Sequence, residues 1–141
     1  MELRSKTIWM TVLVLLMGGV ISTSAQEVLV RSGFLEDSLR IGDKIRMFLV
    51  AEYPSNRNIL FPDSTHNFEP FEFEKRIYFP TKTTEGKSYD SVLYYLSTFE
   101  VDRHQVLSLP VYQLNPMDCT VYFSQRDTIL LTELVKNLPD T

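Results

Sequence analysis

The strongest constraint on this chain is a period of two. In Lys44 to Tyr53, Ile45, Met47, Leu49 and Ala51 fall on one face while Lys44, Arg46 and Glu52 fall on the other, until Pro54 withdraws a ladder donor. From Glu27 onward no run of ten or more residues spaces its apolar positions as a helix would, and no repeat or low-complexity tract occurs. Short strand-like segments separated by turn residues recur instead. With 44% hydrophobic and 23% charged residues among 141, the chain can bury one core and is not a disordered polymer.

The remaining segments follow the same logic. Val28 and Val30 alternate with Leu29 and Arg31 in a first strand, and Arg40-Ile41-Gly42-Asp43 reads as a turn with Gly42 free to take positive φ. Ile59-Leu60-Phe61 is a short strand between two polar loops. Phe71, Phe73, Ile77 and Phe79 share a phase against Glu72, Glu74, Arg76 and Tyr78, interrupted only by Lys75, and Thr81 to Lys87 reads as a polar turn. Ser88 to Val101 is apolar in both phases, as a fully buried strand or one with a bulge near Ser97-Thr98 resetting the pattern to Phe99 and Val101 would be. Val106 to Leu114 is expected to be its hairpin partner, with Leu107, Leu109 and Val111 in phase and Pro110 demanding an edge or a bulge. Cys119 to Phe123 and Thr128 to Thr132 complete the series. About seven to eight short strands of this kind predict an all-β, immunoglobulin-like antiparallel β-sandwich, without the Cys-Trp-Cys signature of antibody domains.

The N-terminus is different. Arg4 and Lys6 precede the apolar run Ile8 to Ile21, about 14 residues and short of the roughly 18 to 20 needed to span a bilayer. Small residues Thr23 and Ala25 follow, so residues 1–25 read as a secretory signal peptide cleaved after Ala25. The sandwich occupies 26–132, and 133–141 reads as a polar tail or the start of a linker in a chain that continues. After cleavage Cys119 is the sole cysteine, which forbids an internal disulfide. Its phase with Val121 and Phe123 predicts a small buried hydrophobe rather than a reactive thiol.

Chemistry-bearing residues are sparse. His66 and His104 lie in predicted loops, neither with a second histidine or cysteine within five residues, so no metal site is expected. Asp63, Ser64 and His66 are neighbours in one loop, which makes a turn and not a catalytic relay assembled from separate parts of a fold. Glu72 and Glu74 share a strand face as solvated carboxylates do. A hydrolase would require two or more of His66, His104, Cys119 and Asp63 to converge in one pocket. The net charge of −4 offers no basic surface for nucleic acid. No enzyme activity and no cofactor are expected. What stands out is nine Phe and seven Tyr. In the strand from Ser88, the phase of Val92, Tyr94 and Leu96 suits the core, leaving Leu93 and Tyr95 outward as the candidate interaction face.

The order of features, a signal peptide, Ser38-Leu39-Arg40-Ile41-Gly42-Asp43-Lys44-Ile45 leading into a long strand, then Asp90-Ser91-Val92-Leu93-Tyr94-Tyr95-Leu96 and Leu109-Pro110-Val111-Tyr112, resembles the N-terminal Ig-like region of BatD-like proteins, the oxygen tolerance family of bacterial envelopes. The resemblance implies a periplasmic, non-enzymatic interaction domain associated with the inner membrane, tethered by a helix beyond Thr141. It also implies envelope partners that include von Willebrand A-domain proteins and a MoxR-type ATPase. The competing expectation is a secreted or surface Ig-like adhesin or carbohydrate-binding module.

Overall fold

A computed structural model describes residues 27–132. The expected signal peptide and the polar tail lie outside the described residues. Within them there is no helix, and ten strands run in order: β1 Leu29–Phe34, β2 Ser38–Leu39, β3 Ile45–Pro54, β4 Asn58–Leu60, β5 Glu72–Thr84, β6 Lys87–Ser97, β7 His104–Leu107, β8 Pro110–Leu114, β9 Cys119–Phe123 and β10 Asp127–Leu131.

One layer is a four-stranded antiparallel sheet in the order β1-β3-β6-β5. The other is built from two three-stranded pieces, β2-β10-β7 and β4-β8-β9. These pieces are two halves of the same layer. β7 and β8 follow one strand path broken at Ser108-Leu109, and β9 and β10 follow its neighbour, broken at Ser124 to Arg126. The breaks face each other and are sewn together: Leu109 N–H donates to Ser124 Oγ at 2.9 Å, Ser124 N–H donates to the Leu109 carbonyl at 2.9 Å, and Ser108 Oγ donates to the Ser124 carbonyl at 2.6 Å. Counting each broken path once leaves eight, with the connectivity of a constant-type immunoglobulin sandwich plus a short β2 that runs parallel to β10. Proline is tolerated at Pro110 because it opens a strand rather than interrupting one.

The core lies where the two inner faces meet. Ile45, Met47, Leu49 and Ala51 of β3 are all buried, as their alternation predicts, and Val92, Tyr94 and Leu96 of β6 join them. Leu107, Leu109, Val111 and Ile129 come from the opposite layer, while Phe61, Phe68 and Phe71 close one side. At the corner between β6 and β7, buried Gln105 donates from Nε2 to the carbonyls of Glu100 at 2.9 Å and Asp102 at 3.1 Å, fixing the turn.

Five expectations need correction. In β5 the register shifts between Phe73 and Lys75, so the strand turns over. Phe71 and Phe73 face the core, then Arg76 and Tyr78 take that side opposite Tyr94 and Val92, and Ile77 and Phe79 emerge outside, 39% and 48% exposed. Second, Thr81 to Thr84 continue the strand, and the turn is only Glu85-Gly86, with φ of 52° and 77°. Third, β6 ends at Ser97 without a bulge that resets the pattern, which leaves Phe99 and Val101 exposed. Fourth, the segment after His104 pairs with β10, β4 and β9 in the other layer and not with β6. Fifth, Cys119 is exposed, because in β9 it is Thr120 and Tyr122 that oppose inward-facing Gln113 and Val111.

Candidate interaction face

Adjacent residues of a strand point to opposite faces, and β6 separates Tyr94 from Tyr95 in this way. Tyr94 is fully buried between the rings of Phe68 and Phe73, at 5.4 and 6.4 Å. Its hydroxyl donates to the Pro62 carbonyl at 2.6 Å, which also accepts from Arg76 Nη1 at 2.6 Å. Burial holds the Tyr94 phenol protonated well above its ordinary range. Tyr53 is raised in the same direction, first by burial and then by its hydrogen bond to Asp90 at 2.6 Å.

Leu93 and Tyr95 lie on the outer face of the four-stranded sheet, both half-buried. Cross-strand register arranges that face in rows. Gly33, Phe48, Leu93 and Ile77 form one row, and Arg31, Val50, Ser91 and Phe79 the next. Arg46, Tyr95 and Lys75 close one end, and Leu29, Glu52, Tyr89 and Lys82 the other. The central rows are therefore apolar in the middle of the sheet, where a solvated face would carry polar side chains. The ends are charged, and most of their charges are paired. Arg46 pairs with Glu36 at 2.7 Å, Lys87 with Glu52 at 3.1 Å, and the Lys75 ammonium sits 4.5 Å from the centre of the Tyr95 ring. Gly33 lets the Phe48 ring lie close to the β1 backbone, since a Cβ there would come within 2.8 Å of the ring unless the ring moved. An apolar centre inside a polar rim is the anatomy of a protein interface.

A second apolar surface lies on the other layer. On the outside of β4-β8-β9, Leu60, Tyr112 and Val121 form a row, flanked by Leu114 and Cys119 on one side and Phe123, 69% exposed, on the other. Alternation of Cys119, Val121 and Phe123 correctly marked one face of β9. It carried no information about which face was inside. Pairing with β8 decides that: Tyr122 lies opposite buried Val111, with its Oη donating to Gln113 Oε1 at 3.4 Å, and Thr120 lies opposite buried Gln113.

Of the residues a hydrolase would need, Asp63 and His66 line one shallow pocket, and His104 and Cys119 lie elsewhere. His66 lies in the β4–β5 loop with its ring 4.9 Å from that of Phe68, and burial pushes its pKa down. Asp63 Oδ1 accepts from the Thr65 backbone N–H at 2.9 Å and is spent on that turn. His104 opens β7 and Cys119 opens β9, and neither lines the shallow pocket of Asp63, His66 and Tyr112. Glu74 accepts from Ser97 Oγ at 3.0 Å as part of the sheet surface. Among the described residues no three His, Cys, Asp or Glu side chains gather as metal ligands would. A polar groove does exist between the β3–β4 and β8–β9 turns, lined by Asn56, Arg57, Asn58, Gln113 and Asn115, with Arg57 Nη1 donating to Gln113 Oε1 at 2.9 Å. No protein-family model and no curated protein matches the chain, so its likeness to BatD-like proteins rests on residue patterns alone.

Proposed function

We propose that this is a non-enzymatic protein-interaction domain of the bacterial cell envelope, which holds its partner on the outer face of β1-β3-β6-β5. One observation carries the reading: Phe48, Val50, Leu93, Ile77 and Phe79 cover the centre of that sheet outside the core, inside a charged rim. Export by the N-terminal segment, a periplasmic location and an inner-membrane tether beyond residue 141 complete the proposal. Von Willebrand A-domain proteins are the partners that the BatD-like resemblance suggests.

The test is a photo-crosslinking amino acid placed at position 93 in the full chain, expressed in cells, with a control at Thr128 on β10. A covalent adduct to another polypeptide from position 93 alone is the expected result. If Leu93 gives no adduct under conditions where the protein is folded and exported, the interaction reading fails.

A second reading, a carbohydrate-binding module, is favoured by the amide-lined groove at the strand turns, because side-chain amides and one guanidinium suit sugar hydroxyls. Retention on a glycan array that disappears with Asn56→Ala and Asn58→Ala would support it over the first.

A further inference from the structure

From the register of the outer face we infer that its partner is a second copy of this chain, packed face to face about a two-fold axis that runs along the strands between β3 and β6. The inference rests on the interaction reading above and names the occupant. Rotation about that axis lays β3 over β6 of the second copy and β1 over β5, keeping the rows in register. Phe48, whose ring covers Gly33, then meets Leu93 of the second copy, and Val50 meets Ser91, so the largest side chains oppose smaller or flatter ones.

The rim is compatible with itself in this arrangement. Arg31 faces Phe79 of the second copy, Glu52 faces Tyr89, whose hydroxyl already donates to Glu52 of its own chain at 3.3 Å, and Arg46 faces Tyr95 beside Lys75, so no two like charges lie directly opposite. A two-fold axis across the strands would instead set Lys75 over Lys82 of the second copy. Strands about 4.8 Å apart and rows about 7 Å apart give a face of roughly 500 Å², so the pair would bury about 1,000 Å², the lower bound for a specific interface and suited to a weak dimer.

Sedimentation of the chain from β1 through β10 with its flanking segments, at on the order of 100 μM, should show a dimer that dissociates on dilution. Leu93→Asp or Ile77→Asp should make it monomeric with an unchanged circular dichroism spectrum, whereas Phe123→Asp on the opposite layer should change nothing. The geometry is checked with a short bismaleimide in a Cys119→Ser background. An equimolar mixture of Arg31→Cys and Phe79→Cys should cross-link into dimers, and either variant alone should not. A monomer at that concentration, or dissociation by Phe123→Asp in place of Leu93→Asp, overturns the inference. So does a dimer in which the mixture fails to cross-link. A monomer that still yields a position-93 adduct to a different polypeptide discards the second copy and keeps the interaction reading. A monomer with no adduct discards both.

Discussion

Tyr94 and Tyr95 share a peptide bond and almost nothing else. Truncating Tyr94 empties a site between Phe68 and Phe73, so Tyr94→Ser should cost about 3–5 kcal/mol, whereas Leu93→Ser with Tyr95→Ser should shift a denaturant midpoint little. Tyr94→Phe isolates the hydroxyl. The Pro62 carbonyl keeps Arg76 as a donor, so the loss should be about 1 kcal/mol. The same burial makes a pH prediction. In the unfolded chain the phenols of Tyr94 and Tyr53 ionise at their ordinary value of 10.0, and in the folded chain only above it. Their contribution is complete below pH 10.0 and is lost as the pH rises beyond it, because the unfolded state releases its protons first. Thermal melts should therefore fall steeply above that pH, and Tyr94→Phe should flatten the fall. Cys119 belongs to the opposite category. It is exposed on an edge strand, so a bulky thiol reagent should label the native protein quickly, and Cys119→Ser should change stability by less than about 0.5 kcal/mol.

At the level of elements, the β5–β6 hairpin turns on two residues with positive φ, the geometry of a type I′ turn that matches strand twist. Gly86 is suited to it and Glu85 is not. Gly86→Ala should destabilise by about 1 kcal/mol, and Glu85→Asn should stabilise by roughly 0.5–1 kcal/mol, both readable as shifts in a urea midpoint. This turn also marks where sequence reading ends. In β3 the period of two is unbroken, and core and surface sides follow directly from it. β5 has the same alternation on paper, but the bulge beside Glu74 inverts Lys75 to Phe79 and a second shift between Phe79 and Lys82 turns the strand back, and inversions of this kind depend on how residues such as Lys75 and Tyr95 meet across the ladder. Leu93 and Tyr95 could be placed outside because β6 keeps one phase through Leu96. The apolar residues that surround them, Ile77 and Phe79, could not, and for β9 both faces carried enough apolar mass that only pairing with β8 settles the matter.

For the whole molecule, the question is what joins two layers without a disulfide. A constant-type immunoglobulin sandwich often pins its layers with one bridge, and here a single cysteine on an outer face excludes that within the chain. The layers are held by shared burial: Met47, Leu49, Tyr94 and Leu96 from one, Leu107, Leu109, Val111 and Ile129 from the other, all buried. Neither layer has a core of its own, so the two should unfold together. Far-ultraviolet circular dichroism and near-ultraviolet tyrosine signals should give coincident curves, with the same midpoint in the presence and absence of reductant. Leu109→Ala should cost about 2–5 kcal/mol, since Leu109 is wholly buried at the bend in the second layer. Ser124→Ala should cost about 1–3 kcal/mol by removing the acceptor of the buried Leu109 N–H. Both losses should appear in the two signals equally. A Ser124→Ala protein whose curves separate would mean instead that the bend lets the second layer open on its own.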